Sequence, residues 1–597
     1  MRQPWVTYPL TANKTVACPT RILYYDTETN YDENTTDQTQ TFRLAVTAFQ
    51  RYKRGIPEGK TCWKLHLSGD SVWHYVNSLS YDRSCLWVVA HNLDFDFSAI
   101  EGFRHLAEED WTVKFWAISS ENFLLRIKKK RRQIQWLDSM GFIGASIEAL
   151  GKTIGLKKLD MPAPSEPDEA WEQYCHRDVE VMKLGVESFI RFVKKNDLGR
   201  FSMTIAGQAL QAYRHRFLKK TIWIHRYKSE MESERAAYHG GRTEAFFLGK
   251  VPRDKIYYLD INSMYPSVMI DNPYPIRLLS TIRKPTMKGI ARLSRDYEVM
   301  VEGRWNIVEP VLPFMDKRLT FPIGRFSSTI TGPEYRYLAD RGWIETLYTA
   351  WIYQRGYPFT DYIKYFWELR REAIAKKDKT WDWIGKLFLV SLYGKFAQRN
   401  PVYEIADATP GQPDGLFPVI SSLGGPNESR MVLGGKIYLK VGDEPARWTF
   451  YPLSSWVTAY ARLKLWGLID LAGRDHRYYC DTDSIFVDQI GYNNLEHLIV
   501  PGKLGALGIK REGHSLIIKG AKDYEFDGKR YLKGVPERAT EVSPGVYSYW
   551  TFLKTRTKMR GMDPNEIIQV TVNKTLNRVY EKGEVLPTGE VIPYRLG

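Results

Sequence analysis

The sequence predicts a multi-domain α/β protein, and three observations lead to that prediction. The chain has 597 residues, enough for several domains with substantial cores. Short runs of β-branched and aromatic residues, such as those in 21–30 and 257–261, predict strands. Each run ends on acidic side chains, which is typical of a strand that leads into a functional site. Segments with a helical apolar period, such as 169–193, alternate with these strands.

Composition indicates the compartment and the kind of partner. Lys plus Arg number 85 and Asp plus Glu number 69, which gives a net charge of +16 and favours a polyanionic partner, either nucleic acid or an anionic surface. Five scattered cysteines without a CxxC pair indicate neither a zinc site nor a disulfide framework. No secretory signal and no run of about 18 apolar residues is found, so we expect a cytoplasmic protein without a membrane span.

Three acidic motifs lie in the first two hundred residues, and each places two side chains on one face of its element. They are Asp26 and Glu28 on a strand, Asn92 and Asp96 at a turn into a helix, and Tyr174 and Asp178 on a long helix. Each motif alone is compatible with a capped turn. The three together predict a cluster of oxygen ligands for divalent cations.

Two further carboxylate motifs lie in the second half of the chain. Asp260 ends an apolar strand, and a turn leads from it into a new element. Asp481 and Asp483 are two residues apart at the tip of a predicted hairpin, so we expect both to project from one face. A lone DxD pair is usually an ordinary acidic turn, but a second carboxylate motif favours a metal site.

These motifs resemble those of a known family. In chain order, Asp260 to Tyr265-Pro266, Lys386 to Tyr393-Gly394 and Tyr479 to Ser484 resemble the DxxSLYP, KxxxNSxYG and YxDTDS motifs of family B DNA polymerases. The three earlier motifs resemble those of DEDDy 3′–5′ proofreading exonucleases. The resemblance implies an RNase H-like exonuclease domain and a right-hand polymerase with palm, fingers and thumb. Val390 replaces the usual Asn, a departure that bears on affinity or fidelity.

The resemblance also implies roles for residues of the nuclease half. Two Mg²⁺ ions would be held by the carboxylates of Asp26, Glu28, Asp96 and Asp178, with Tyr174 orienting the attacking water. The single-stranded 3′ end would contact Asn92, Ser139 and Lys158, and Lys157 is an equally good candidate for the lysine.

The resemblance likewise implies roles for residues of the polymerase half. A second pair of Mg²⁺ ions, with Mn²⁺ as the alternative, would lie at Asp260, Ile261 and Asp483. The incoming nucleotide would contact Tyr265, which excludes a 2′-hydroxyl, and also Lys386, Tyr393 and Asp481. One or two of Arg370, Arg371, Lys376 and Lys377 would reach its phosphates. The DNA would contact Tyr238, Gly240, Gly241, Thr482, Lys522 and Tyr524.

Two segments between the motifs resemble the insertions of the protein-primed subgroup, with long surface loops as the alternative. The first would meet a terminal protein, and the second would close a ring around DNA and support strand displacement. The expected domains are the exonuclease (1–200), palm (201–271 and 445–535), insertion 1 (272–351), fingers (352–397), insertion 2 (398–444) and thumb (536–597).

Local patterns add four expectations. The run from Arg126 to Arg132 predicts a hairpin with a basic tip, which is either a phosphate contact or a solvated turn. A helix after insertion 2 should have Ser454 or Ser455 as its N-cap and end at Gly473. Asp527-Gly528 predicts a hairpin turn. Alternating cations in the tail, namely Lys554, Arg556, Lys558 and Arg560, predict a strand that contacts duplex DNA or is simply a solvated edge.

We therefore predict a monomeric, template-directed DNA polymerase with 3′–5′ proofreading. Its expected partners are template and primer DNA, dNTPs, a terminal protein and a single-stranded-DNA-binding protein. Two alternatives stay open: a primer-independent family B replicase, and a nuclease or DNA-binding replication protein with an inactive polymerase half.

Overall fold

The structure is a computed structural model that describes residues 7–118, 123–409, 411–419 and 428–597. Within these residues, no helix is both long and apolar enough to cross a membrane.

A mixed sheet organises the N-terminal domain. Its central strand, Arg21–Asn30, pairs antiparallel with Gln38–Lys53 and parallel with Cys85–Ala90, which pairs parallel with Arg132–Asp138. Both faces of the central strand are covered, so its apolar run does not alternate with polar residues. The outer strands are Ile56–His66, Thr112–Ile118 and Phe123–Lys129. The helices are Gly69–Ser78, Leu93–Ala99, Gly102–Glu108, Ser139–Ile143, Ile147–Ile154 and Asp168–Lys195.

The predicted basic hairpin is confirmed: the strands Phe123–Lys129 and Arg132–Asp138 pair antiparallel, with Lys130 and Arg131 at the tip. Arg126 lies opposite Gln135 on the neighbouring strand and donates to its Oε1 atom at 3.1 Å.

The palm is a five-stranded antiparallel sheet. In spatial order its strands are Thr243–Ala245, Arg477–Asp481, Ser484–Asp488, Ile256–Ile261 and Leu507–Gly513. An adjoining sheet comprises Gly249–Lys250, Leu516–Gly520, Asp523–Phe526 and Lys529–Leu532. Its Asp527-Gly528 turn has positive φ at both residues, as the sequence predicts.

Helix Tyr451–Ala472 packs beside the palm, and its predicted N-cap is wrong. The helix begins one turn before Ser454 and Ser455, directly after Phe450. Both serines are fully buried, and their hydroxyls donate to the backbone oxygens of Tyr393 and Tyr451. Serine hydroxyls within a helix bond to backbone carbonyls in this way, so a Ser-Ser pair does not by itself mark a helix start. The end at Gly473, with φ 93°, is confirmed.

Each insertion folds into its own sheet rather than into long surface loops. Insertion 1 contains the strands Tyr274–Arg283, Ile344–Gly356, Glu298–Ile307 and Ile323–Ile330, with helices Met287–Asp296 and Gly332–Arg341. Insertion 2 contains the strands Arg399–Asp407, Lys436–Pro445, Glu428–Leu433 and Gly415–Val419.

The fingers are two packed helices, Thr360–Ala375 and Lys379–Ser391, followed by a 3₁₀ segment, Tyr393–Ala397. The first part of the palm is preceded by Ile205–Ala212, a π-helical turn Tyr213–Phe217, and Lys228–Ala236. Helix Met264–Asp271 follows the Asp260 strand.

The predicted cationic strand in the tail is wrong. Residues Thr555–Lys558 form a short helix, and Lys558 is buried, where its ammonium donates to Ser98 Oγ and to two backbone oxygens. The alternating charges therefore do not share a face, because the segment is helical and one hydroxyl, of Ser98, and two backbone carbonyls, of Pro564 and Glu566, accept hydrogen bonds from Lys558. The strands around this helix are Thr540–Ser543, Val546–Phe552 and Ile567–Thr575.

The tail also joins other parts of the chain. Strand Ile567–Thr575 pairs with Gln38–Gln40, so the thumb strands extend the nuclease sheet. The final strand Arg595–Leu596 pairs in parallel with Ile323–Gly324 of insertion 1.

Two candidate carboxylate sites

The three N-terminal acidic motifs meet at one place in the nuclease-type domain. Asp26 and Glu28 project from the central strand, and Thr27 between them donates its backbone N–H (3.2 Å) and hydroxyl (2.7 Å) to Asp96 Oδ1. The long helix packs against the same strand and brings Asp178 to it. The Asp96 Oδ2 and Asp178 Oδ1 atoms are buried and have no hydrogen-bond partner among the described residues.

This clustering changes the acidity of the carboxyl groups. Burial, together with the Asp178 carboxylate, raises the pKa of Asp26 to about 8. Burial, together with Asp26 and Asp178, raises the pKa of Glu28 to about 9. Burial also raises the pKa values of Asp96 and Asp178. Crowded carboxylates with unpartnered oxygen atoms are the environment that a divalent cation stabilises, so the residues present fit metal ions.

Lys158, rather than Lys157, reaches this site. Its ammonium bonds to Asp178 Oδ2 and lies 4.6 Å from the ring centroid of Tyr174. Lys157 is exposed, and its backbone oxygen accepts from Arg177. The structure therefore separates two lysines that the sequence leaves equivalent.

Two of the predicted DNA contacts near this site have protein partners. Ser139 is fully buried, and its hydroxyl bonds to His91 Nδ1 at 3.0 Å. Asn92 lies in the left-handed conformation, and its side-chain oxygen accepts from Lys554 Nζ at 3.2 Å. The carboxylate that holds this turn is Asp138, which accepts from the N–H groups of Asn92 and Met140. Sequence reasoning missed Asp138.

The second site lies on the palm sheet. Asp260 pairs across the sheet with Ser484, and the Ile261 N–H donates to the Asp483 backbone oxygen at 2.7 Å. Burial and the Asp260 carboxylate raise the pKa of Asp483 to about 6. Lys510 Nζ lies 2.9 Å from Asp260 Oδ2 and partly neutralises the pair. Lys510 was not predicted; its only sequence signal is a cation within a strand.

Asp481 does not join this pair, which corrects the expectation that Asp481 and Asp483 share a face. Thr482 is left-handed, with φ 60°, so Asp483 lies in the turn and not on a continuous strand. Asp481 Oδ1 accepts from Thr243 Oγ1 at 2.9 Å, and Oδ2 lies 2.7 Å from Lys522 Nζ. Lys522 and Asp481 thus form an ion pair beside the Thr482–Asp483 turn. Tyr524 packs 5.3 Å from the Tyr479 ring.

Two tyrosines form a wall beside the palm turn. The ring centroids of Tyr265 and Tyr393 are 4.8 Å apart, although Tyr393 follows the end of the finger helix and does not continue its face. Gly241 packs against Tyr265 and Thr482, because a Cβ there would lie 3.0 Å from Tyr265 Oη and from Thr482 Cγ2. A Cβ at Gly240 would meet no heavy atom of the described residues within 4 Å, so Gly240 does not share that constraint.

The finger helices carry an exposed lysine and an arginine that contacts the turn after Asp260. Lys386 is exposed, makes no ion pair in the part of the chain that the structure describes, and lies one turn before the half-buried Val390. Arg370 donates to Ser263 Oγ at 2.8 Å and pairs with Asp382 at 2.6 Å, so it connects the fingers to the turn after Asp260.

The remaining finger cations lie farther out. Arg371 pairs with Glu368 at 2.9 Å on an exposed face, and Lys376 is 3.8 Å from Glu372. Lys377 lies in the left-handed turn between the two helices.

A buried arginine holds the loop of Tyr238 to Gly241. Arg462 donates to the backbone oxygens of His239 and Gly240 at 2.8 and 3.0 Å and pairs with Glu334 at 2.7 Å. Glu334 caps the insertion 1 helix Gly332–Arg341. Sequence reasoning missed this pair, since a charged residue in a helix carries no signal of burial.

Comparisons with known proteins agree with this arrangement. The sequence matches the family described as DNA polymerase type B, organellar and viral, over residues 88–410. It is 24% identical to a probable DNA polymerase of Neurospora intermedia, over 53% of this chain and 33% of that protein. It is 28% identical to the DNA-directed DNA polymerase of Enterobacteria phage PRD1, over 49% of this chain and 50% of that protein. The chain thus spans half or less of the length of these two curated relatives.

The fold is shared with a solved polymerase. Phi29 DNA polymerase, in a complex with primer-template DNA and incoming nucleotide substrates, superposes with a TM-score of 0.66 at 16% identity, over 94% of this chain and 100% of that chain. The architecture is therefore that of a multi-domain DNA polymerase. The chain belongs to the organellar and viral type B DNA polymerases, and polymerases of this family use divalent metal ions. The predicted family and fold class are confirmed.

Proposed function

We propose that the protein is a template-directed DNA polymerase that extends a primer 3′-hydroxyl with dNTPs and proofreads with a 3′–5′ exonuclease. The observation that carries this proposal is the convergence of two separate carboxylate sites, one on the palm sheet and one on the nuclease-type sheet, in a chain of this family. A nuclease with an inactive polymerase half does not need the Asp260–Asp483 pair.

At the palm site, Asp260 and Asp483 would hold two Mg²⁺ or Mn²⁺ ions, which would activate the primer hydroxyl and stabilise the triphosphate charge. The chain's own residues then position the nucleotide. Lys386 would neutralise phosphate charge, and the Tyr265 ring, braced by Tyr393, would contact the sugar and exclude a 2′-hydroxyl.

At the nuclease site, the four carboxylates would hold a second pair of such ions. Lys158 keeps Asp178 in place, and its position over the Tyr174 ring fixes the hydroxyl that would orient the attacking water. Burial raises the pKa of Tyr174 to about 12, so this hydroxyl keeps its proton at neutral pH and remains a hydrogen-bond donor.

A basic channel supports a role for insertion 2 in holding DNA. A cavity of about 1570 Å³ lies between the nuclease-type domain, the fingers, insertion 2 and the thumb. Its described lining residues include seven cationic side chains and one carboxylate, that of Asp443. The cations are Lys114, Arg126, Arg200, Lys395, Arg399, Lys440 and Arg556. Such a surface suits a phosphate backbone and would support strand displacement.

Protein priming is the finer part of the proposal. Insertion 1 is a folded sheet attached to the palm through the Arg462–Glu334 pair, which gives a terminal protein a defined docking element near the site. The alternative, primer-independent initiation, predicts that the first labelled nucleotide becomes attached to another nucleotide instead of to a protein.

The test uses a 5′-labelled primer on a longer template with Mg²⁺, with and without dNTPs. We expect the wild type to extend with dNTPs and degrade without them. Asp483→Asn should degrade only, and Asp26→Asn should extend only, because the two sites use separate carboxylates. A wild type that degrades but never extends, with either metal, would overturn the polymerase assignment.

A further inference from the structure

A cysteine lies inside the nuclease-type carboxylate cluster. Cys175 follows Tyr174 on the long helix, is fully buried, and its thiol lies 3.4 Å from the backbone oxygen of Asp26. The donor atoms of Asp26, Glu28 and Cys175 all lie within 4.8 Å of one another. In the described residues, these three form the one such group of histidine, cysteine and acidic side chains.

The spacing and the neighbouring atoms suit a metal ion. Two donors bound to one ion at about 2.0 to 2.3 Å lie no more than roughly 4.5 Å apart, so small side-chain rotations bring this group to bonding distance. The buried Asp96 Oδ2 atom, which has no hydrogen-bond partner in the described part of the chain, provides an independent indication of a missing ligand. Asp96 is held to this cluster through Thr27.

The set of donor atoms in Asp26, Glu28 and Cys175 includes a sulfur atom, which a Mg²⁺ site does not require. Mg²⁺ takes oxygen ligands, whereas thiolates favour softer cations such as Zn²⁺. We propose that Cys175 adds a sulfur donor to the nuclease-type site, so that Asp26, Glu28 and Cys175 bind a thiophilic divalent cation. Binding breaks the S–H bond and forms a sulfur–metal bond. The proton leaves to solvent, and nothing is oxidised or reduced.

The palm site differs in this respect. Cys480 is also buried and precedes Asp481, but its thiol lies near Arg242 and Glu244, and within the described part of the chain it belongs to no group of metal-ligating atoms. A thiophilic cation should therefore distinguish the two sites. The inference rests on the proposed nuclease function only for its catalytic consequence, since binding is a property of the protein without DNA.

The test titrates the full-length protein, without DNA, with Cd²⁺ as the probe and records the charge-transfer absorbance of a cadmium–thiolate bond. The wild type should show a saturable band of one equivalent that excess Mg²⁺ diminishes, because the carboxylates are shared. Cys175→Ser should lose the band, and the matched control Cys480→Ser should keep it. Circular dichroism of each variant verifies that it is folded.

A second variant keeps the proposal testable if Cys175→Ser does not fold. Asp26→Asn leaves every cysteine in place, so it should weaken the band only if the thiol and the carboxylate share the ion. A band of wild-type strength in Cys175→Ser or in Asp26→Asn, or no band in the wild type, would overturn the proposal. A protein that binds Cd²⁺ as expected but never degrades a primer would refute the nuclease function and leave the sulfur-containing site standing.

Discussion

At the scale of single residues, the chemistry of the two sites depends on carboxylates that the fold holds close together. The pKa values of Asp26 and Glu28 lie far above those of free carboxyl groups because the fold buries both side chains next to each other and to Asp178. Without a cation, such a cluster destabilises the folded state once it ionises. Metal binding and stability should therefore be linked through pH.

This linkage gives a prediction for thermal stability. The folded-state pKa values are raised, so the stabilising contribution of these protons is complete below the unfolded values near 4 and is lost as pH rises through about 8 to 9. The metal-free wild type should have a lower Tm at pH 8 than at pH 6, and Mg²⁺ should raise Tm more at pH 8. Asp26→Asn should reduce both effects, and an identical pH response in this variant would contradict the assignment.

Lys158 gives a prediction with a matched control beside it. Lys158→Ala should lower primer degradation on the order of 10- to 100-fold, the range found when a partner of a metal ligand is removed. Lys157→Ala should have little effect, since its side chain is exposed. Single-turnover degradation of a labelled single strand measures both. Equal losses in the two variants would indicate a general charge effect instead of the Lys158–Asp178 contact.

At the scale of elements, an arginine of the first finger helix connects the fingers to the turn that follows the palm carboxylate Asp260. The turn that follows Asp260 places Ser263 in a left-handed conformation, and Arg370 holds it from the first finger helix. The helices themselves are predictable from their apolar period, but this connection joins residues 107 positions apart. No local pattern contains such a contact.

Removing this connection should impair nucleotide incorporation. Loss of a hydrogen bond to a charged group costs about 1.5 to 3 kcal/mol, which is roughly 10- to 100-fold in kcat/KM for dNTP if the turn must be held for catalysis. We expect this loss for Arg370→Ala in steady-state primer extension. Arg371→Ala is the control, because Arg371 forms an exposed pair with Glu368. A normal kcat/KM in Arg370→Ala would show that the turn at Ser263 keeps its conformation without Arg370.

At the scale of the whole molecule, the parts predicted as separate domains are joined through strands from distant positions. The thumb extends the nuclease sheet through Ile567–Thr575, and insertion 2 packs on the nuclease-type domain, where Tyr438 donates to the Val113 backbone oxygen at 3.2 Å. The basic cavity exists only because these parts meet.

The two ends of insertion 2 lie close enough for a short turn to join them, because the Ala446 N–H donates to the Gln398 backbone oxygen at 3.1 Å. We expect a chain in which Arg399–Pro445 is replaced by a short Gly-Ser turn to extend a primer on a single-stranded template. On a template with a blocking strand, extension should stop at the duplex, since one wall of the channel is missing. Primer degradation serves as the folding control. Continued extension through the blocking strand would refute the role of insertion 2.

The sequence by itself determined the family, the α/β class, the acidic residues that the fold gathers at two places and the hairpins at Asp483 and Asp527, because these depend on short motifs and local periodicity. Tertiary structure decided which of two lysines reaches Asp178, that Asp481 pairs with Lys522, and that Lys558 is buried instead of facing DNA. The physical reason is the same in each case. Charged side chains are placed by partners that lie far away in the chain, and spacing along the sequence does not record those partners.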